Sequence, residues 1–386
     1  MGIDKINSIA VSSIAKVSGK TTSQFSKMGG QDVSVAAAGA SRLAAAMDDA
    51  YVSWVDIVDD GDASVWETNT YKAGATGDTW DMVDIAYGKD GSGDPFWVTV
   101  AAKNNPEILY DDDGDITDGV RWGEINLGSS IPGNLKQKTV VWGNDVWVSA
   151  GLLTSSNKYI YRSTDGSTWS AVDISGATDI GSVYSSGIYA LTSDGAGKWW
   201  FGIAGKLYYS SDNASSWSLH ATFSGETIYD LVYTNNTLVA LVKHGGNPHL
   251  RSAASSDTTD FSDKTQLQDS NGNGLNGNKT KRMAGGDGRV VVIDTGRSLA
   301  ADVNGKTITI QGTRQDLPDE GNLNCICTDG DGNWWTGSDG GSTGPDGGDI
   351  CKSTDNGASW SKIAEGINVS GDRKVEGIAV DVYLPV

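Results

Sequence analysis

The sequence predicts an all-β fold, a seven-bladed β-propeller whose ring closes by pairing its N- and C-terminal segments. Three observations predict it. A strand–turn–strand unit recurs six times at roughly 40–55-residue intervals, the length of one four-stranded blade. A Ser-x-Asp turn followed by a large ring recurs between these units. The pieces of a seventh unit lie at opposite ends of the chain, where they would remove two open sheet edges by joining.

The bulk composition agrees. The 386 residues include 51 Gly and only 7 Pro, with 14 Trp and 13 Tyr, which suits frequent turns between aromatic strands. The formal charge of −20 argues against a nucleic-acid partner, since a phosphate ligand needs a Lys/Arg field that is missing here. An anionic membrane surface is disfavoured for the same reason, and no apolar run approaches the roughly 18–20 residues of a membrane span. Asp4, Lys5, Lys16 and several serines break up the first twenty residues, so no signal peptide is expected. Three cysteines make no disulfide framework. Cys325 and Cys327 share one face of an expected strand and Cys351 lies on a neighbour. We read them as one reduced, buried thiol cluster, because no histidine or fourth cysteine completes a metal site. A reducing host cytoplasm is the expected place of synthesis.

Residues 1–30 have their own cadence: Lys5-Ile6-Asn7, Lys16-Val17-Ser18-Gly19 and Lys27-Met28-Gly29-Gly30, with lysines eleven apart. Ile3, Ile14 and Phe25 precede them at the same offset. The apolar positions Ile3, Ile6, Ile14, Val17, Phe25 and Met28 belong to a segment too short to bury a core, so it is expected to attach to another surface. Residues 31–50 contain Ala36-Ala37-Ala38 and Leu43-Ala44-Ala45-Ala46-Met47 and read as a linker with a short helix. The propeller is expected over residues 51–386.

The inner hairpins begin with Met82–Tyr87, Thr139–Trp142, Ile188–Leu191, Ile228–Tyr233, Lys281–Ala284 and Leu323–Cys327. Each runs through a Gly/Asn/Asp turn into an aromatic or β-branched strand, such as Gly143-Asn144-Asp145-Val146-Trp147 or Gly330-Asp331-Gly332-Asn333-Trp334. For the seventh blade, Val375–Val380 with Val382-Tyr383-Leu384 reads as an inner hairpin. Val52–Ile57 with Val65-Trp66-Glu67 reads as its outer hairpin.

The recurring turn is clearest as Ser353-Thr354-Asp355-Asn356-Gly357-Ala358-Ser359-Trp360. Ser210, Asp212 and Trp217 mark a copy with Ala214 at the glycine position; Ser163, Asp165 and Trp169 mark a copy one residue shorter. A worn copy carries Asp257 and Phe261. The stretches 103–130 and 297–318 have none. An aspartate placed here ties the turn through nearby backbone amides. The phrase resembles the Asp box of sialidases, sortilin-type receptors and photosystem assembly propellers. In those families it sits on the propeller rim and is structural, so the resemblance implies a fold and not a chemistry. The N-terminal repeats resemble segments that open many tailed-phage virion proteins.

Candidate chemistry is sparse. The resemblance to sialidases would imply an arginine triad clamping a carboxylate, but the Arg-Ile-Pro phrase of that family is missing, and several of the nine arginines fall beside turns or on outer strands. Asp111, Asp113 and Asp115 alternate like calcium ligands, but Ile116 replaces the expected glycine and no glutamate lies at the twelfth position. Asp269-Ser270-Asn271-Gly272-Asn273 opens better and fails at Thr280. Solvated loops are expected at both. His244 and His249 flank a Gly-Gly-Asn-Pro turn and lack a third ligand, so they read as surface residues.

The expectation is therefore a non-enzymatic structural protein of a tailed-phage virion, without cofactor or metal, attached to capsid or tail through residues 1–30. The alternative is a propeller that binds a host-surface glycan or receptor, with the loops 101–107, 242–250 and 336–349 as binding elements. A cellular assembly-factor propeller is the further alternative.

Overall fold

The computed structural model describes residues 16–17, 20–21, 27–28, 31–32, 42–47, 51–56, 66–70, 81–102, 107–111, 122–126, 137–155, 158–183, 187–254, 259–277, 282–318, 321–339, 348–364 and 374–381. Seven four-stranded antiparallel sheets form a closed ring. Blades one to six open with the inner strands Met82–Lys89, Gln137–Gly143, Ala190–Ser193, Glu226–Thr234, Arg282–Gly286 and Leu323–Thr328. Within each of them the four strands follow one another outwards in chain order.

Blade seven joins the ends of the chain, with one strand from the C-terminus and three from the N-terminus. Val375–Val380 lies innermost, followed by Arg42–Met47, Tyr51–Asp56 and Glu67–Thr70. This corrects two expectations. The second strand is Arg42–Met47 and not Val382-Tyr383-Leu384, whose residues lie outside the described ones. The segment read as helical is also a strand, paired with Val375–Val380 on one side and Tyr51–Asp56 on the other. Tertiary context overrides the helical preference of alanine here. Leu43, Ala45 and Met47 pack towards blade six while Ala44 and Ala46 pack towards blade one, all fully buried. Near the axis two neighbouring sheets converge, and small side chains fit between them.

Each pair of adjacent blades shares its own apolar cluster. Trp66 illustrates the closure: it lies buried with Leu43, Val55 and Ile378 of its own blade and with Trp335 and Ile350 of blade six. On the other side Trp54 and Val52 pack with Ile85, Trp97 and Trp122 of blade one. The tryptophans are mostly core residues, with Trp97, Trp147, Trp199, Trp200, Trp334 and Trp335 almost fully buried.

The three cysteines, none of them in a disulfide, do not form one cluster. Cys325 and Cys327 face blade seven, whereas Cys351 packs on the opposite side of the sheet with Ile293 and Leu317 of blade five. Cys351 stands on the third strand of its blade, and the alternation of side chains turns it the other way.

Two copies of the N-terminal repeat form the same small hairpin. Lys16 pairs with Thr21 and Val17 with Lys20; eleven residues on, Lys27 pairs with Asp32 and Met28 with Gln31. Ile3, Ile6, Ile14 and Phe25 lie outside the described residues.

Candidate functional site at the channel mouth

The two faces of the ring are built differently. One carries the turns between first and second strands and between third and fourth strands. These turns are tied from within. In blades two, four and five, Asn144-Asp145, Asn235-Asn236 and Asp287-Gly288 all take positive φ, the two-residue turn that matches strand twist. In blades three and six the turn is longer, and Asp194 or Asp329 accepts the amides two and four residues on.

The Ser-x-Asp turns lie on this same face. Ser353 Oγ donates to Asp355 (2.8 Å) and accepts from Gly357 N (2.9 Å), while Asp355 accepts from the amide and hydroxyl of Ser359. Ser210, Asp212, Ala214 and Ser216 repeat this set of bonds. The shorter copy closes from Ser163 to Gly166 N, with Asp165 accepting from Ser167 N and Thr168 N. Burial works against ionisation of Asp355, yet the Ser359 and Ser353 bonds hold its carboxyl below the usual range. Trp169 and Trp360 are partly buried, Trp217 and Phe261 buried; Asp257 lies outside the described residues.

The inner strands line a central channel of about 330 Å³. In blades one, two, four, six and seven the inner strand carries a β-bulge near its start, after its first paired residue or, in the longer strand of blade four, after its third. Just beyond it stand Asp84, Thr139, Asp230, Cys325 and Gly377, with Arg282 at the matching place in blade five. Asp84 accepts from its neighbour Ile85 N (3.0 Å) and from Val140 N of the next blade (3.0 Å). Asp230 does the same with Leu231 N (2.9 Å) and Met283 N (2.8 Å). Each thus staples two adjacent blades at the axis. Burial raises both carboxyls, Asp230 to about 7, against the opposing pull of Arg282.

Where the inner strands begin, the channel widens into a mouth of about 740 Å³ on the other face. Tyr189, Tyr229, Arg282, Asn324, Lys374 and Glu376 line it, together with Asn322 and Asp339. Tyr189 is 42% exposed and is the one exposed large hydrophobic side chain among the described residues. Its ring rests against Gly187, where an added Cβ would come within 2.6 Å of it. Lys138 Nζ lies 5.6 Å from the ring centroid. Asn322 donates through both its amide and its side chain to Asp339 (2.6 Å each), and Asn324 Nδ2 donates to Val375 O (3.3 Å).

By strand direction the loops 101–107, 242–250 and 336–349 open on this face. Residues 103–106 and 340–347 lie outside the described ones. In the 242–250 hairpin, His244 Nδ1 lies 3.1 Å from Glu226, whose carboxylate also takes two 2.8 Å bonds from Arg251. His249 is buried and stands edge-on to His244, 5.8 Å between centroids, so it is not a surface residue. His244 itself is exposed, as expected, and only His249 is carried inward.

At the expected calcium positions, Asp111 ends a strand and is buried, which corrects its reading as a solvated loop residue; Asp113 and Asp115 are outside the described residues. Asp269 is buried too, and its carboxylate accepts from Asn271 N, Asn273 N, Asn273 Nδ2 and Arg314 N, which makes it a loop tie. Sequence reasoning missed Asp84, Asp230, Arg282 and Tyr189. The signal for the first two was available: an aspartate at the same offset in two otherwise apolar inner strands.

No family model matches the chain, and no curated protein matches it. Among solved structures, YCF48 bound to D1 peptide aligns at TM-score 0.51 and 13% identity, covering 78% of this chain and 92% of that one. YCF48 from Cyanidioschyzon merolae aligns at 0.51 and 14%, covering 78% and 94%. At that identity the likeness carries the fold alone. The topology and these alignments together make the chain a seven-bladed β-propeller closed by its two termini.

Proposed function

We propose that this propeller is a non-catalytic binding module that takes its ligand or partner at the channel mouth. The mouth itself carries the reading. It joins an exposed tyrosine to polar side chains of both signs, on the face whose loops vary most in length, while the opposite face is committed to tying its own turns. That YCF48 is a propeller seen bound to a peptide supports a binding role for such a ring, including that of an assembly factor. The test is protection of mouth residues, followed by hydrogen exchange or chemical footprinting when a ligand is added. Protection confined to the Ser-x-Asp face refutes the reading.

A second reading concerns residues 1–30 and rests on the repeated hairpin. Four lysines against two aspartates make residues 1–32 basic in a chain of net charge −20. Two successive units with one pairing pattern suit a segment that attaches the ring to a larger body. Given the resemblance of the repeats to virion proteins, that body is a capsid or tail, and the protein is displayed on the particle. Deleting residues 1–30 is expected to abolish incorporation into particles and leave the ring folded. Full incorporation of the truncated protein overturns the attachment reading without touching the mouth.

A further inference from the structure

We infer that the ligand class of the mouth is a neutral oligosaccharide, stacked on Tyr189 and held by Arg282, Asn324 and Glu376. The inference rests on the reading of the mouth as the binding site and narrows it to one chemistry. Three observations select that chemistry.

The first is charge. The charged side chains lining the mouth are Arg282 and Lys374 against Asp339 and Glu376, with Lys138 close to the Tyr189 ring. Three positive groups against two negative ones leave a mixed field within a body of net charge −20, so neither a polyanion nor a polycation finds an extended complementary surface.

The second is backbone geometry. An extended peptide is captured most simply by adding a strand to a regular free edge. The channel-facing edges are irregular here, because three of the five inner strands that line the mouth, those of blades four, six and seven, are bulged. A bulge disrupts the local ladder and re-aims side chains, so recognition falls to the side chains. An amphipathic helix needs an apolar groove, and Tyr189 is the one exposed large hydrophobic among the described residues.

The third is the kind of side chain present. A sugar offers an apolar C–H face and a rim of hydroxyls, each both donor and acceptor. Tyr189 supplies a flat ring braced on Gly187, and the ordering cost of such a platform is small. Arg282, Asn324 and Glu376 are planar groups that bond adjacent hydroxyl pairs. Asn322 and Asp339 hold each other, and Asn324 is fixed on Val375 O, so the rim is preorganised. A volume of about 740 Å³ admits a short oligosaccharide.

The experiment uses the full chain against arrays of neutral, sialylated and sulfated glycans, with a random-peptide array run in parallel. Binding to neutral glycans is expected, weakened about tenfold or more by Tyr189→Ala and little changed by Tyr189→Phe. Asn324→Ala should weaken binding with the fold intact by circular dichroism. Tyr189-dependent binding to peptides, or to charged glycans only, overturns the saccharide class and leaves the mouth standing. Glycan binding indifferent to both Tyr189→Ala and Asn324→Ala overturns the mouth. Absence of binding on every array overturns both.

Discussion

The buried aspartates of the channel make the stability of the ring depend on pH in an unusual direction. Asp230 is raised to about 7 from an ordinary value of 3.8, chiefly by burial. Between those pH values the unfolded chain has released a proton that the folded chain retains. Folding therefore takes up a proton in that window, and stability rises as pH falls from 7 towards 4. At about 1.4 kcal/mol per unit, the full span is worth about 4 kcal/mol. Asp381, raised to about 6 by burial, and Asp84, raised likewise, add to the same trend. Asp165, Asp212, Asp355 and Glu226 are held below their usual range, so their contribution is lost only as pH falls further. His249, lowered from 6.5 by burial, offsets part of the gain below that pH. The ring should thus be more stable at pH 5 than at pH 8. Urea unfolding followed by tryptophan fluorescence reads this as a rising midpoint from pH 8 to pH 5. Asp230→Thr copies Thr139 at the matching place in blade two; it should remove much of the slope and raise the midpoint at pH 8. A flat or falling midpoint in the parent, or an unchanged slope in Asp230→Thr, refutes the claim that burial outweighs the amide bonds and Arg282.

Two further perturbations probe the closure and the tied turns. At Gly377 an added Cβ would lie 2.7 Å from Asp84 Cα and 3.0 Å from Ile85 N, backbone atoms that cannot rotate away. Gly377→Ala should therefore cost about 1–3 kcal/mol, seen as a lower urea midpoint. Asp355→Ala removes the acceptor of the Ser353 hydroxyl and of the Ser359 amide and hydroxyl. It should cost about 1–2 kcal/mol and accelerate amide exchange locally at residues 357–360, with blade four unchanged.

Most of the ring was legible because its signals are local. Turn residues, aromatic strands and blade spacing recur within short windows, so Trp199-Trp200-Phe201 or Asn235-Asn236 announce their elements without the rest of the fold. The closing blade was legible as a need for two chain ends and not in its division. Arg42–Met47 looks helical because alanine carries little strand signal. What decides its state is burial between blades six and one, a contact made more than 300 residues away with Val375–Val380. The thiols failed for a related reason: pairing order places Cys351 two strands from Cys325, and alternation turns it outward from that cluster. Apart from Asp339, which falls in the loop 336–349 expected as a binding element, the mouth was invisible because it gathers single residues from blades three to seven, each unremarked in its own strand.

This contrast also bears on what the ring is for. On the turn face, related residues recur in equivalent places: Ser163, Ser210 and Ser353 make the same bond to Asp165, Asp212 and Asp355. Those positions answer to folding, which asks the same thing of every blade. Around the channel the equivalent positions hold Asp84, Thr139, Asp230, Arg282, Cys325 and Gly377, a set with no shared chemistry. Folding alone asks for nothing so varied, since any small or satisfied side chain would close the axis. Gly377 and the two aspartates have visible structural reasons in backbone contact and amide capture. Arg282 has a weaker one, a long 3.5 Å bond to Tyr189 O beside the charge of Asp84 and Asp230. Its place between the buried carboxylates and the exposed tyrosine ties the state of the channel to the shape of the mouth. Ligand bound at Tyr189 should then shift the pH dependence carried by Asp230, since both act on the same guanidinium.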